Sequence, residues 1–98
     1  MLRHVVLFRW QKSTTAGQVA EVAAGLAALP GTIGEIRSYR FGADVDLTDG
    51  SFDFAIVAEF DDPAAFQAYR DHPAHRAVAD RIASLVAERA AVQFEVPG

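Results

Sequence analysis

The sequence contains no cysteine, which excludes disulfides, thiolate nucleophiles and zinc–thiolate centres together. Lysine is almost missing as well, Lys12 being the single one, so no polybasic segment exists to hold an anionic membrane surface. Nine basic residues against thirteen acidic ones leave a net charge of −4. The bases are scattered, whereas phosphate binding needs them concentrated. No apolar run approaches the roughly 18 residues that cross a bilayer. The opening "MLRHVVLFRW" is too short an apolar run for a secretory leader and carries Arg3 and Arg9. These absences predict a cytoplasmic protein that engages neither nucleic acid nor membrane.

What the chain does have is apolar surface. Hydrophobic residues make up 51% of its 98 positions, and the mean hydropathy is +0.11. A chain this short is one domain, residues 1–98, with a modest core. Its apolar share exceeds what a lone monomer of this size readily hides, which points to self-association.

The order of elements follows from periodicity. His4, Val6, Phe8 and Trp10 alternate with Val5, Leu7 and Arg9 in a β-rich run. Thr15 and Gln18 have the spacing of a capping box, and Val19, Val22, Ala23, Leu26 and Leu29 follow at helical intervals. The spacing predicts a helix that stops at Pro30-Gly31, then a strand over about residues 34–41. An acidic, glycine-bounded loop leads to a second alternating strand, Phe52 to Phe60. Asp62 and Pro63 read as the N-cap and first residue of another helix. That helix must break near Pro73, resume to about Ala87, and give way to a last strand over about residues 91–96. The β-α-β-β-α-β order is the α+β, ferredoxin-like arrangement. It has one antiparallel four-stranded sheet with both helices on one face. The other face, carrying Val5, Leu7, Ala55 and Val57, lacks a cover within the chain. A homodimer whose two sheets face each other as a barrel is the economical solution.

The acidic loop "DVDLTDG" begins like a calcium-binding loop, with Asp44 and Asp46 at the right interval. Its glycine falls one place late and its twelfth position is Ala55 rather than glutamate, so an EF-hand is rejected.

The stretches "RHVVLFRW", "FDFAIVAEF" and "FQAYRDHPAHRAV" resemble the stress-responsive A/B-barrel (Dabb) family. The specific part is Y-x-x-H-P-x-H, Tyr69 to His75, after a strand ending in Glu-Phe; the likeness runs from His4 to about Val96. It implies a dimeric α+β barrel. A plant polyketide cyclase of the family closes a linear polyketide thioester by intramolecular aldol chemistry without a cofactor. The resemblance places that enzyme's reactive tyrosine and histidine at Tyr69 and His75, and a supporting histidine at His4. Phe54 stands where that enzyme has a further histidine, and Glu95 where it has an aspartate. The first departure removes a polar group from the pocket.

The residue types suit such chemistry. A histidine titrating near pH 6.5 can take a proton from a carbon beside a carbonyl, and a tyrosine hydroxyl can hold the oxygen that becomes negative. His75, Val78, Ile82 and Leu85 form one inward helical stripe, with Arg76 and Asp80 an exposed pair opposite. Phe66 and Tyr69 share an inward stripe before the break, so a kink at Pro73 turns Tyr69 and His75 towards a common space. Val6, Phe8, Phe54, Ile56, Phe66, Val78 and Ile82 are the expected apolar lining, with His4 at the rim. The alternative for His75 is a buried imidazole bonded to a backbone carbonyl. His72 is expected in a supporting role, capping the resumed helix outside the pocket. A metal site on His72 and His75 is not expected, because Pro73 separates their directions, and no cofactor is implied. Three functions stay open: a cofactor-independent, cyclase-like lyase on small apolar carbonyl compounds, a non-catalytic stress-responsive dimer binding a small hydrophobic or aromatic ligand, and a cofactor-free monooxygenase on aromatic polyketides.

Overall fold

The computed structural model describes residues 1–97. The chain runs β1 (Leu2–Trp10), α1 (Ala16–Thr32), β2 (Ser38–Ala43), β3 (Phe54–Phe60), α2 (Pro63–Asp71), α3 (Pro73–Leu85) and β4 (Val86–Glu95). The four strands form one sheet in the order β2-β3-β1-β4, antiparallel throughout. This is the ferredoxin-like arrangement, with its second helix divided in two.

Alternation decides which way each strand faces. Leu2, His4, Val6 and Phe8 of β1 are buried, as are Phe54, Ile56, Ala58 and Phe60 of β3, while the residues between them are only half covered. The helices therefore lie on one side of the sheet. Val22, Leu26 and Leu29 bring the apolar stripe of α1 onto that side, and Ile33 follows the helix end. Fully burying a side chain such as Leu26 or Phe60 contributes about 1.5–3 kcal/mol, so these few contacts dominate the stability of so small a domain. The two helices approach closely where Gly25 faces Val78, since a Cβ there would stand 3.2 Å from Val78 Cγ2.

Local chemistry sets the helix starts. Thr15 Oγ1 accepts from the Gln18 N–H (3.1 Å), and Gln18 Oε1 accepts from the Thr15 N–H (2.9 Å), which completes the capping box. Asp62 Oδ1 accepts from the Ala65 N–H at 2.8 Å, with Pro63 following it in the first turn.

Several boundaries differ from the sequence expectation, among them the start of β3 at Phe54 rather than Phe52. The first helix passes through Pro30 to Thr32. Proline there forfeits only one hydrogen bond, and the turn is held by the Ile33 N–H on Leu29 O (2.8 Å) with the Ile33 side chain buried. The next strand accordingly begins at Ser38 rather than about residue 34. The last strand begins at Val86 rather than about residue 91. Residues 86–90, "VAERA", have helix-forming composition, but β1 extends to Trp10 and offers an open edge there. Pairing of Val86 with Trp10 and of Glu88 with Arg9 satisfies that edge, a tertiary demand that outweighs local propensity. Arg76 and Asp80 form no ion pair among the described residues; the ion pair of α3 joins Arg81 to Glu21 of α1.

The sheet face away from the helices carries Val5 and Leu7 of β1, Ala55 and Val57 of β3, and Ala90, Val92 and Phe94 of β4, side by side in register. Val92 is 54% exposed and Phe94 43%. Arg3 with Glu59 (2.8 Å) closes one end of this apolar strip, and Arg9 with Glu88 (3.5 Å) the other. No helix among the described residues is long and apolar enough to cross a membrane.

Candidate functional site

The helix break is the structural origin of the site. α2 ends at Asp71 and α3 begins at Pro73, with His72 as the extended residue between them. Because Pro73 forces this interruption, the carbonyl of Arg70 loses the N–H of Ala74, its usual helical donor. That N–H turns instead to His72 Nδ1 at 3.1 Å. The freed carbonyl is taken up by His75 Nδ1 at 3.1 Å. A carbonyl can only accept, so His75 Nδ1 carries the proton, and in the neutral ring Nε2 keeps its lone pair.

Between the sheet and the α2–α3 pair lies a cavity of about 570 Å³. Its roof is Phe66, Tyr69 and Arg70 of α2 with His75, Val78 and Ile82 of α3. Its floor is His4 and Phe8 of β1 and Ile56 of β3. Arg89, Ala91 and Gln93 of β4 complete the wall; they stand opposite Phe8, Val6 and His4 on β1 and so point to the same side. Residues 87–95 of β4 are exposed along their whole length, which leaves that side of the cavity open.

His4, Tyr69 and His75 meet in its lining, and Tyr39 backs Tyr69 from outside it. The Tyr69 ring centroid is 4.3 Å from that of His75 and 6.4 Å from that of His4. Tyr69 is only 2% exposed, and its hydroxyl is 2.8 Å from that of Tyr39 on β2. Burial holds the acidity of both phenols well below normal, so both remain protonated. His4, 6% exposed, receives a hydrogen bond on Nδ1 from the Gln93 amide at 2.9 Å. Its proton therefore sits on Nε2. Burial, reinforced by the charge of Arg89, by repulsion from His75 whenever that ring is protonated, and by the charge of Arg70, lowers its pKa to about 4. The pKa of His75 is also lowered, chiefly by burial, against a partly offsetting hydrogen bond to the Arg70 carbonyl. Around neutral pH the site thus holds two uncharged imidazoles and two intact phenols. Such a set can accept one proton and donate several hydrogen bonds beside the apolar side chains of Phe8, Ile56 and Phe66.

Several expected positions lie elsewhere. Val6 and Phe54 do not line the cavity. Val6 belongs to the core beneath it, and Phe54 packs against Trp10 (5.6 Å between centroids) and Phe41 (6.2 Å), farther along the sheet. His4 is in the floor rather than at the rim, because its strand position faces the helices and α2 covers it through Phe66, 4.9 Å away between ring centroids. His72 is outside, occupied as a helix cap. Tyr39, Arg70, Arg89 and Gln93 were not anticipated. Arg89 and Gln93 share a two-residue alternation with Ala91, but a helix expected to about Ala87 and a strand expected only from about residue 91 leave Arg89 outside it. Among the described residues no group of three or more histidines, aspartates or glutamates could hold a metal ion.

Residues 2–96 match the stress-responsive A/B barrel domain, Dabb. The chain belongs to the Dabb family. Among relatives, an uncharacterised Streptomyces coelicolor protein is 34% identical over 80 residues, which cover 79% of this chain and 81% of that protein. Among solved structures, a dimeric ferredoxin-like protein of unknown function from Thermobifida fusca is 47% identical. Its match covers 97% of this chain and 90% of that one, with a TM-score of 0.92. A hydroxynitrile lyase from Passiflora edulis shares the fold at a TM-score of 0.88 and 17% identity, over 98% of this Dabb chain and 93% of the lyase; at that identity the likeness is one of fold alone.

Proposed function

We propose that this Dabb protein is a homodimeric, cofactor-independent enzyme acting on a small, largely apolar carbonyl compound by proton abstraction and intramolecular aldol closure, in the manner of a polyketide cyclase. The observation that carries the reading is the state of His75: its Nδ1 proton is committed to the Arg70 carbonyl, so its Nε2 keeps a free lone pair, in a ring whose centroid is 4.3 Å from that of Tyr69. His75 Nε2 takes a proton from the carbon next to a carbonyl, and the electron pair of that C–H bond moves onto the carbonyl oxygen. Tyr69 donates to this oxygen, while Tyr39 donates to Tyr69 and strengthens it as a donor. The enolate carbon attacks a second carbonyl of the same molecule, forming the C–C bond, and the new alkoxide recovers the proton from His75. The lowered pKa of His75 suits this cycle, because the ring is an uncharged base before each turnover.

Dimerisation has separate support. The apolar strip from Val57 to Phe94 has no cover among the described residues, ion pairs close both of its ends, and the Thermobifida fusca protein is described as dimeric.

The test is deuterium uptake at the methyl group of acetophenone in heavy water, followed by proton NMR. Exchange above the buffer rate that disappears in His75→Ala supports the reading. Exchange no faster than buffer in the wild-type protein removes the enzyme and leaves a binding protein with the same cavity.

A further inference from the structure

The charges around the cavity do not follow those of the whole chain. The protein carries a net −4, yet the cavity is lined by two arginines, Arg70 and Arg89, and by no aspartate or glutamate. The acidic neighbours of both arginines are turned away. Asp71 is held by the Gln67 amide at 3.0 Å, and Glu88 lies on the opposite face of β4, paired with Arg9. Among the described residues neither Arg70 nor Arg89 forms an ion pair, whereas Arg3, Arg9, Arg37 and Arg81 all do. Arg70 reaches towards the cavity over the Phe66 ring, 6.0 Å from its centroid. Arg89 stands opposite Phe8 in the strand register, on the cavity side of β4. The two guanidinium groups come from opposite walls, helix and strand. A positive, acid-free opening above an apolar floor concentrates anions, and a guanidinium fork matches a carboxylate in geometry as well as charge.

We infer that the ligand of this cavity is an anion: a molecule with an apolar or aromatic body and a free carboxylate, the carboxylate held by Arg70 and Arg89 while the body lies over Phe8, Ile56 and Phe66. The inference rests on the cavity being a ligand site, as the proposed function requires, but not on His75 acting as a base. It narrows the substrate class to carbonyl compounds that also bear a carboxylate. The Gln93 amide gives one N–H to His4 and keeps the other, but it carries no charge, so the anion preference falls to the two arginines.

Calorimetric titration with naphthoate and with naphthamide separates the elements of this inference. The two probes share a body and differ in charge. Naphthoate should bind roughly tenfold or more tightly than naphthamide, and its affinity alone should fall as salt is raised. Arg70→Gln and Arg89→Gln should each remove most of that preference without weakening naphthamide. Arg81→Gln, outside the cavity, should leave both affinities unchanged. Both cavity arginines are exposed, so the variants should melt as the wild type does. Equal affinity for the acid and the amide, or a preference that survives both substitutions, overturns the anionic assignment and spares the cavity as a ligand site. Absence of binding by either probe overturns both.

Discussion

The rings of Tyr69 and His75 lie 4.3 Å apart, although they stand on two different helices separated by a broken turn. The break produces the contact. It releases the Arg70 carbonyl to orient the His75 imidazole, and the new helix sets that ring beside Tyr69, tilted by 47°. A proline that costs a helix hydrogen bonds thereby sets both the tautomer and the position of the candidate base.

Because the two groups would act on one transition state, Tyr69→Phe and His75→Ala should each reduce exchange or turnover on the order of a hundredfold or more. Tyr39→Phe should cost less, about tenfold, the equivalent of one weakened hydrogen bond. The double variant Tyr69→Phe/His75→Ala should lose far less than the product of its singles. Strictly multiplicative losses in steady-state rates would show that the residues act independently.

Acid should destabilise the fold over a defined window. The pKa of His4 is lowered to about 4 in the folded protein, against roughly 6.5 when unfolded. Between these values the unfolded chain binds the extra proton, so stability rises with pH across the window and is lost as pH falls through it. His75, shifted in the same direction, adds to the slope. Asp61, lowered by its hydrogen bond to Arg37, contributes only below about pH 4. Urea midpoints measured from pH 7 to pH 4 should fall, and His4→Gln should flatten the decline. A wild-type curve without slope above pH 4 would contradict the buried, neutral state of His4.

The cap at the break should be measurable on its own. His72→Ala removes the acceptor for the Ala74 N–H and should cost about 1 kcal/mol. His72→Asn restores a capping oxygen and should recover most of that loss. Chemical denaturation of the three proteins decides this, and equal stability of the alanine and asparagine variants would argue against a capping role.

Light scattering should report a mass near twice 10.6 kDa. Val92→Asp, which puts a charge in the middle of the exposed apolar strip, should lower it towards the monomer, while Arg76→Glu on α3 should not. An unchanged mass in Val92→Asp would place the contact elsewhere.

The strand alternations of His4–Trp10 and Phe52–Phe60 (the latter two residues too long at its start), the capping box at Thr15, the Asp62-Pro63 start and the break at Pro73 were all legible in the sequence. Each rests on neighbours within a few residues, where periodicity and the missing proline N–H act locally. The same local information assigned Tyr69 and His75 to one inward surface. What only the tertiary structure decided depends on partners far along the chain. β4 begins at Val86 because the open edge of β1 needs pairing, and that register turns Arg89 and Gln93 into the cavity. Tyr39 reaches Tyr69 across thirty positions because β2 lies on the far side of β3. His4 is buried rather than peripheral because α2 folds back over it. In each case a distant strand or helix supplies the hydrogen bond or the cover, and no local pattern in the sequence encodes which one it will be.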